Sequence, residues 1–328
     1  MKPASLRPFL PRPALRRRLL PSHRPYASTT PGPPTLQVFN DRAKHLQRER
    51  SAANSETSRA VDYLRDEVAT RLCERLLDIK RNFPRVLDLG ANACNIAHEA
   101  AEPSSPSSPQ EPPQPLATRL GHLTSADTSP ALLHRDASLP FNNLLPSHDR
   151  LVLPPASQPL PFAPHSYDAI LSSLAMHWIN DLPTHLSQCA RILRPDSPFI
   201  AAMLGGDSLY ELRTSLQLAD LDRRGGVSTH VSPLADVRDM GGLLTKAGFK
   251  MLTVDVDDIV VEYPDTFALM RDLQDMGESN ASLTRELAGL RREVLLANEG
   301  IYRELHGGGG QGKEGERGGC RLRFGSSI

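Results

Sequence analysis

The chain has 328 residues, and its 38 basic and 38 acidic side chains give a formal net charge of zero. It contains no run of 18 apolar residues, so the sequence argues against a transmembrane helix. None of its four cysteines forms a CxxC pair, which argues against a zinc finger, and four are too few for a disulfide scaffold.

The charge is unevenly distributed along the chain. Seven basic residues and no acidic residue lie in positions 1–40, so the remainder carries 31 basic against 38 acidic side chains. An acidic body disfavours nucleic acid as a partner, because binding to phosphates needs a basic surface. Residues 1–34 are arginine-rich, acid-free and proline-rich, which is typical of a mitochondrial transit peptide. A disordered basic tail is the alternative.

The predicted elements alternate between helix and strand. Residues 55–80 carry apolar side chains at helical spacing, and 85–90 form a short buried strand that ends on an acid and a glycine. Residues 103–115 are a flexible Pro/Ser-rich insertion, and 306–328 are a disordered Gly-rich tail. Further strands are predicted at 122–127, 151–153, 167–173, 199–204 and 249–263, and further helices at 183–193, 207–222, 232–248, 264–276 and 282–305. This order predicts an α/β domain over 35–305, with a mostly parallel sheet covered on both faces.

The first two strands end on residues suited to a ligand. Asp88 and Gly90 close the first strand, and Asp127 closes the second. Ligands of open α/β sheets bind at the carboxyl ends of the strands, where a glycine allows close approach and an acid can hold ribose hydroxyls. The alternative is an ordinary turn between strand and helix, with Asp88 as a helix cap.

Longer runs of sequence show a family resemblance. Residues 86–90, 167–178 and 193–196 resemble class I S-adenosylmethionine-dependent methyltransferases, especially the branch that includes malonyl-carrier-protein methyltransferases. A second set of runs resembles a family of mitochondrial complex I assembly factors that are related to methyltransferases and described as arginine hydroxylases: 38–42, 79–84, 177–183, 203–213 and 276–280. The resemblance implies a Rossmann-like fold, S-adenosylmethionine as a possible cofactor and an arginine of a complex I subunit as substrate. It also implies a location in the mitochondrial matrix, at most peripheral to the inner membrane.

Three features depart from the methyltransferase pattern. Gly90 is followed by Ala91-Asn92-Ala93-Cys94 instead of further glycines, so the side chains of Asn92 and Cys94 are expected where the cofactor's methionine part would need bare backbone. No acid stands at 153–158, where the family's adenine contact is expected. The family's last strand is expected to be missing, which would expose its neighbours' edges and lower stability.

The resemblance also implies a substrate side of the site. His177 and Trp178 follow the fourth strand, where Trp178 can stack on an adenine or a guanidinium group. Asp207 and Glu211, one helical turn apart, and Glu278 are candidates for binding the guanidinium of arginine. The alternatives are that Trp178 belongs to the core, that His177 is a satisfied polar residue, and that Asp207 caps a helix beside a solvated Glu211.

No metal site is predicted. Non-haem iron oxygenases use two histidines and one carboxylate, and His177, His185 and His230 have no partner at such a spacing. The sequence therefore names no catalytic residue. Three hypotheses remain open: an arginine hydroxylase, a true methyltransferase, and a catalytically inert assembly chaperone with the same fold.

Overall fold

The computed structural model describes residues 36–102, 115–155, 158–285, 289–306 and 319–327. The predicted transit peptide lies outside these ranges, and so does nearly all of the Pro/Ser-rich insertion. Within the described part of the chain, no helix is both long and apolar enough to cross a bilayer.

Strands of the described residues form one seven-stranded sheet in the order β3-β2-β1-β4-β5-β7-β6. The first five in this order pair in parallel, whereas β7 runs antiparallel to both β5 and β6. The predicted α/β class with a mostly parallel sheet is confirmed. The strands are β1 Phe83–Leu89, β2 Leu120–Asp127, β3 His148–Val152, β4 Ala169–Ser173, β5 Phe199–Leu204, β6 Val254–Glu262 and β7 Gly319–Ser327.

Helices cover the sheet, and those of the described residues are α1 Asp41–Ala53, α2 Ser55–Ala60, α3 Tyr63–Asp78, α4 Asn95–Ala101, α5 Pro130–His134, α6 Leu182–Ile192, α7 Tyr210–Arg224, α8 Val237–Ala247, α9 Thr266–Asp275 and α10 Arg292–His306. Strand β1 shows how both faces are buried. Val86 belongs to a core cluster that includes Leu76 of α3, whereas Leu87 belongs to a second cluster that includes Leu186 of α6. Neighbouring side chains of a strand point to opposite faces, so both faces of the central strands need apolar residues.

The last strand is present, so the prediction that it is missing is wrong. Gly319–Ser327 pairs with β5 on one side, where Phe324 lies opposite Leu204, and with all of β6 on the other. The run Cys320-Arg321-Leu322-Arg323-Phe324 alternates apolar and charged residues, which is the pattern of a strand. The strand was not predicted because the glycines before and after this run give the segment a composition typical of disorder.

Several helix boundaries also differ from prediction. The predicted helix 55–80 is two helices, interrupted at Val61 and Asp62. The helix predicted from residue 232 begins only after Asp236, whose carboxylate accepts a hydrogen bond from the backbone N–H of Arg238. The hydroxyl of Ser232 donates to Asn280 instead, so it is not available as a cap.

Candidate functional site

A cavity of about 550 Å³, here called cavity one, lies at the carboxyl ends of β1, β2 and β4. The strand ends contribute Gly90, Asp127 and Ala175 to its wall, and α1 contributes basic side chains. A third, largely apolar wall comes from the segment around Leu153. Cavity one therefore lies where open α/β sheets bind their ligands.

Gly90 is at a position that only glycine can occupy without strain. Its φ is +79°, and a Cβ built on it would lie 2.2 Å from the Cβ of Ala175, which follows β4 closely. The chain thus turns out of β1 directly against the end of β4, and the backbone of Gly90 lines cavity one. A ligand can approach this backbone closely, although the predicted contact with a cofactor stays a prediction.

Asp127 lines cavity one, but groups of the protein itself surround its carboxylate. Oδ2 accepts hydrogen bonds from Nη2 of Arg48 at 2.7 Å and from the backbone N–H of Asn92 at 2.9 Å. Oδ1 accepts from the backbone N–H of Ser129 at 2.8 Å. Arg48 and Asp127 form a buried, charge-assisted pair, so a ligand's hydroxyls would share this carboxylate with Arg48.

The two residues expected to crowd the cofactor turn behave differently. Asn92 lines cavity one, and its Nδ2 donates to the carbonyl oxygens of Gly90 and Ser173, which ties the end of β1 to the end of β4. The thiol of Cys94 is buried and points to the carbonyl oxygen of Leu133, so it does not line the cavity. The prediction is therefore wrong for Cys94.

Asp88 is not among the residues that line cavity one, and its predicted contact with a cofactor stays a prediction. It is fully buried within β1, one residue from Leu87 and Leu89, whose side chains lie on the other face of the strand. Burial raises the pKa of the Asp88 carboxyl well above its ordinary value. Burial therefore favours the uncharged form of Asp88, because a buried carboxylate without a paired cation is costly.

Trp178 and Glu278 form one continuous piece of wall. Nε1 of Trp178 donates a hydrogen bond to Oε2 of Glu278 at 2.6 Å. The Glu278 carboxylate also lies 3.5 Å from Nη2 of Arg65 and 3.5 Å from Nε2 of His177. His177 is buried beside it, and Phe39 packs edge-on against Trp178. Trp178 is therefore neither simple core nor a free stacking surface.

Lys44 of α1 completes this cluster. Its Nζ lies 3.3 Å from the centre of the Trp178 ring and 3.6 Å from Oε2 of Glu278. It also donates to the carbonyl oxygens of Gly277 and Ser279, at 2.9 and 3.2 Å. Burial lowers the pKa of Lys44 to about 7, against the pull of Glu278. Burial disfavours the charged form of Glu278 as well. Nevertheless, Lys44, His177 and Arg65 hold the pKa of the Glu278 carboxyl far below its ordinary value.

A second cavity of about 250 Å³, here called cavity two, lies on the other side of this wall. Trp178 and Glu278 line both cavities. The rest of cavity two is mostly apolar, with leucines from the end of β5, from α7 and from α9, and with Arg285 and Asn280 among its polar residues. The two cavities therefore meet at the pair that joins Trp178 to Glu278.

Asp207 and Glu211 are not among the residues that line either cavity, and their predicted role in binding a guanidinium group stays a prediction. Helix α7 begins at Tyr210, after Leu209 with a φ of +57°. Asp207 is therefore exposed and lies in the turn before the helix, so Asp207 and Glu211 are not positions i and i+4 of one helix. The residue at the N-cap position of α7 is Leu209.

The three histidines considered for metal binding have different surroundings. His177 contacts Glu278, His230 contacts Asp220 at 2.7 Å, and His185 lines cavity one, where burial lowers its pKa to about 4. Across the residues that the structure describes, no group of three or more His, Cys, Asp and Glu side chains is placed to hold a metal ion.

The contribution of α1 to the site was not predicted from the sequence. Lys44 and Arg48 lie one helical turn apart, and they contact Glu278 and Asp127, two of the carboxylates assigned to ligands. The only signal was a pair of basic residues four positions apart in a very polar helix. Such a pair on a polar helix more often faces solvent, so their partners became visible only in the fold.

Comparisons with known proteins agree with this architecture. A family model described as a methyltransferase domain matches residues 110–201. Among solved structures, a putative methyltransferase from Bacillus halodurans superposes with a TM-score of 0.50 over 79% of this chain and 96% of the other, at 11% identity. This likeness shows the fold alone.

Two relatives are much more similar in sequence. A protein of Danio rerio named "Arginine-hydroxylase NDUFAF5, mitochondrial" is 40% identical over 83% of this chain and 77% of its own length. A protein of Homo sapiens with the same name is 40% identical over 89% of this chain and 77% of its own length. Identity at this level over most of both chains means that this protein belongs to the family of the mitochondrial arginine hydroxylase NDUFAF5.

Proposed function

We propose that this protein is an assembly factor of mitochondrial complex I that hydroxylates an arginine side chain of one of its subunits. The observation that carries the proposal is the wall between the two cavities, where an aromatic ring and an ionised carboxylate lie together inside a member of an arginine hydroxylase family. Arginine recognition uses these two groups, because guanidinium pairs with carboxylates and stacks on aromatic faces.

The geometry supports a division of work between the cavities. Cavity one, at the strand ends, has the volume and polar groups for a cofactor or co-substrate. Cavity two, with its apolar walls, suits the methylene stem of a long side chain. Hydroxylation converts a C–H bond of the side chain to C–OH, a two-electron oxidation. Dioxygen with a two-electron reductant balances it, because one oxygen atom enters the substrate and the other leaves as water. These co-substrates have to reach the methylene stem past Trp178 and Glu278.

The residues of cavity one fit S-adenosylmethionine in part. The backbone of Gly90 would lie against the ligand, and Asp127 would hold its ribose hydroxyls beside Arg48. Bound there, this cofactor supplies an electrophilic methyl group; it supplies no oxygen. The side chain of Asn92 narrows the turn in which many relatives of the fold have glycine.

Two other functions each rest on one observation. The match to a methyltransferase domain favours transfer of a methyl group to the same substrate. The pairing of Arg48 with Asp127 favours a chaperone that no longer uses the cofactor, because the carboxylate is already neutralised. Membership of an enzyme family argues against the chaperone.

Mass spectrometry of complex I subunits separates the three functions. Cells that lack the protein are compared with cells that carry the wild type, Glu278→Gln, or Glu262→Gln as a control on the exposed side of β6. We expect a gain of about 16 Da, one oxygen atom, on an arginine with the wild type and with the control, and none with Glu278→Gln at equal protein level. A gain of about 14 Da indicates methylation instead, and no mass change with restored complex I indicates the chaperone.

The same family membership makes the protein mitochondrial. We propose a location in the matrix, or at the matrix face of the inner membrane as a peripheral protein, with residues 1–34 as the transit peptide. The acid-free, arginine-rich composition of this segment supports the proposal.

A further inference from the structure

The contacts of Lys44 define a site for a cation. Its ammonium group lies against an aromatic face, a carboxylate and two backbone carbonyl oxygens. This combination of groups also recognises a guanidinium group. Trp178 and Glu278, which supply the ring and the carboxylate, are also the residues that cavity two reaches.

We infer that the target arginine enters through cavity two and binds Trp178 and Glu278 with its guanidinium group, and that Lys44 gives up its proton to solvent when it does. The inference rests on the proposed function for the identity of the ligand, and it adds the site, the route of entry and the residue that controls occupancy.

The charges around Glu278 require this exchange. Two cations, Lys44 and Arg65, already lie within 3.6 Å of the Glu278 carboxylate. A guanidinium group would be a third cation at the same carboxylate in a poorly solvated place, where like charges repel strongly. Arg65 cannot relieve this repulsion, because an arginine does not lose its proton in a protein. Lys44 can, because a buried lysine gives up its proton readily.

The charged and titratable groups that face Lys44 from the packed elements agree with this assignment. They are Glu278, Arg65 of α3, Arg48 of α1 itself and, through Glu278, His177. Burial lowers the pKa of Lys44 to about 7, so its charge is already lost in part at neutral pH. Loss of the proton leaves an amine that still fills the space between Trp178 and the 277–279 backbone.

Cavity two suits the rest of the ligand. Leu204, Leu212 and Leu273 belong to its apolar lining, which can cover the three methylene groups of an arginine. Glu278 is the one acidic residue among the described residues that line this cavity, which Arg285 and His230 also line. Glu278 therefore attracts the positive end of the ligand to the shared wall.

Calorimetric titration of the full mature chain tests the inference. The probe is the blocked tripeptide acetyl-Gly-Arg-Gly-amide, with the citrulline peptide as an uncharged control of the same shape. For wild type we expect affinity about tenfold weaker at pH 6 than at pH 8, because Lys44 with a pKa of about 7 must be deprotonated first. Buffers with different heats of ionisation should show proton release on binding, and the citrulline peptide should show neither effect.

Two substitutions at Lys44 make the test decisive. Lys44→Met removes the competing charge, so it should bind the arginine peptide at pH 6 as tightly as wild type does at pH 8, with no pH dependence. Lys44→Arg keeps a permanent cation and the hydrogen bonds to the carbonyl oxygens, so it should bind at least about tenfold more weakly than wild type at pH 8. Circular dichroism of both variants checks the fold.

Three results would overturn the inference. They are normal binding by Lys44→Arg, a pH dependence that survives in Lys44→Met and so belongs to another group, and no binding by Lys44→Met at millimolar peptide. The proposed function fails separately. If complex I arginines gain mass but peptide binding does not change in the Lys44 variants, only the inference is rejected. If peptide binding depends on Lys44 but no arginine gains mass, only hydroxylation is rejected.

Discussion

Replacing Gly90 by alanine tests the close contact between the ends of β1 and β4. The substitution adds a Cβ at a φ of +79°, and this atom would lie 2.2 Å from the Cβ of Ala175. The left-handed conformation costs alanine about 1–2 kcal/mol. Relief of the overlap requires the two strand ends to separate, which adds about 1–3 kcal/mol, as for other overpacked sites. We therefore expect Gly90→Ala to lower the free energy of unfolding by about 2–5 kcal/mol.

A matched control separates the two costs. Gly225, at the end of α7, has a φ of +68°, but no atom lies within 4 Å of a Cβ built on it. Gly225→Ala should therefore lose only the conformational part, about 1–2 kcal/mol. Adding Ala175→Gly to Gly90→Ala should restore the packing part, because it removes the atom that overlaps.

Urea denaturation followed by circular dichroism measures all four proteins under one set of conditions. Equal losses for Gly90→Ala and Gly225→Ala would show that β1 and β4 do not approach as closely as described. Failure of Ala175→Gly to rescue Gly90→Ala would lead to the same conclusion. Either result would also remove the argument that the Gly90 backbone is open to a ligand.

Two further predictions concern the charge pairs and the N-terminus. Arg48→Met should lower the free energy of unfolding by about 3–5 kcal/mol, because it leaves the buried Asp127 carboxylate without its cation. In the same urea titration the control Arg71→Met, whose partner Glu67 is exposed, should lower it by at most about 1 kcal/mol, and equal losses would contradict the role given to Arg48. The mature protein from mitochondria should begin near residue 35 when its N-terminus is sequenced, because residues 1–34 have the composition of a transit peptide; a mature chain that still begins before Arg24 would contradict this.

The central strands were predictable because they are buried on both faces. Parallel strands of this kind are continuous apolar runs, such as Ala169–Ser173 and Phe199–Leu204, and few other elements produce them. The place of Gly90 and Asp127 followed from the predicted strands, since Gly90 comes directly after β1 and Asp127 is the last residue of β2. Strand alternation also predicts that Asp88 lies on the face of β1 opposite to Leu87 and Leu89.

The errors have local physical causes. The start of α7 depends on Leu209, whose φ of +57° no propensity predicts for leucine, and this moved Asp207 out of the helix. Strand β7 was missed because glycine-rich composition outweighed a short alternating run. Helix α1 gave no apolar periodicity to find, since its described buried residues are Lys44 and Ser51, held by polar contacts with distant parts of the chain.

The position of β7 has a consequence for the growing chain. Among the described strands, β6 joins the sheet only through β7, which follows α9, α10 and the glycine-rich segment in the sequence. Until those residues have left the ribosome, β5 ends the sheet with an open edge and β6 has no strand to pair with. Unpaired edges are sites of aggregation, so the nascent protein needs protection at this stage. Completion of the sheet therefore waits for a strand that is synthesised long after the strands that form cavity one.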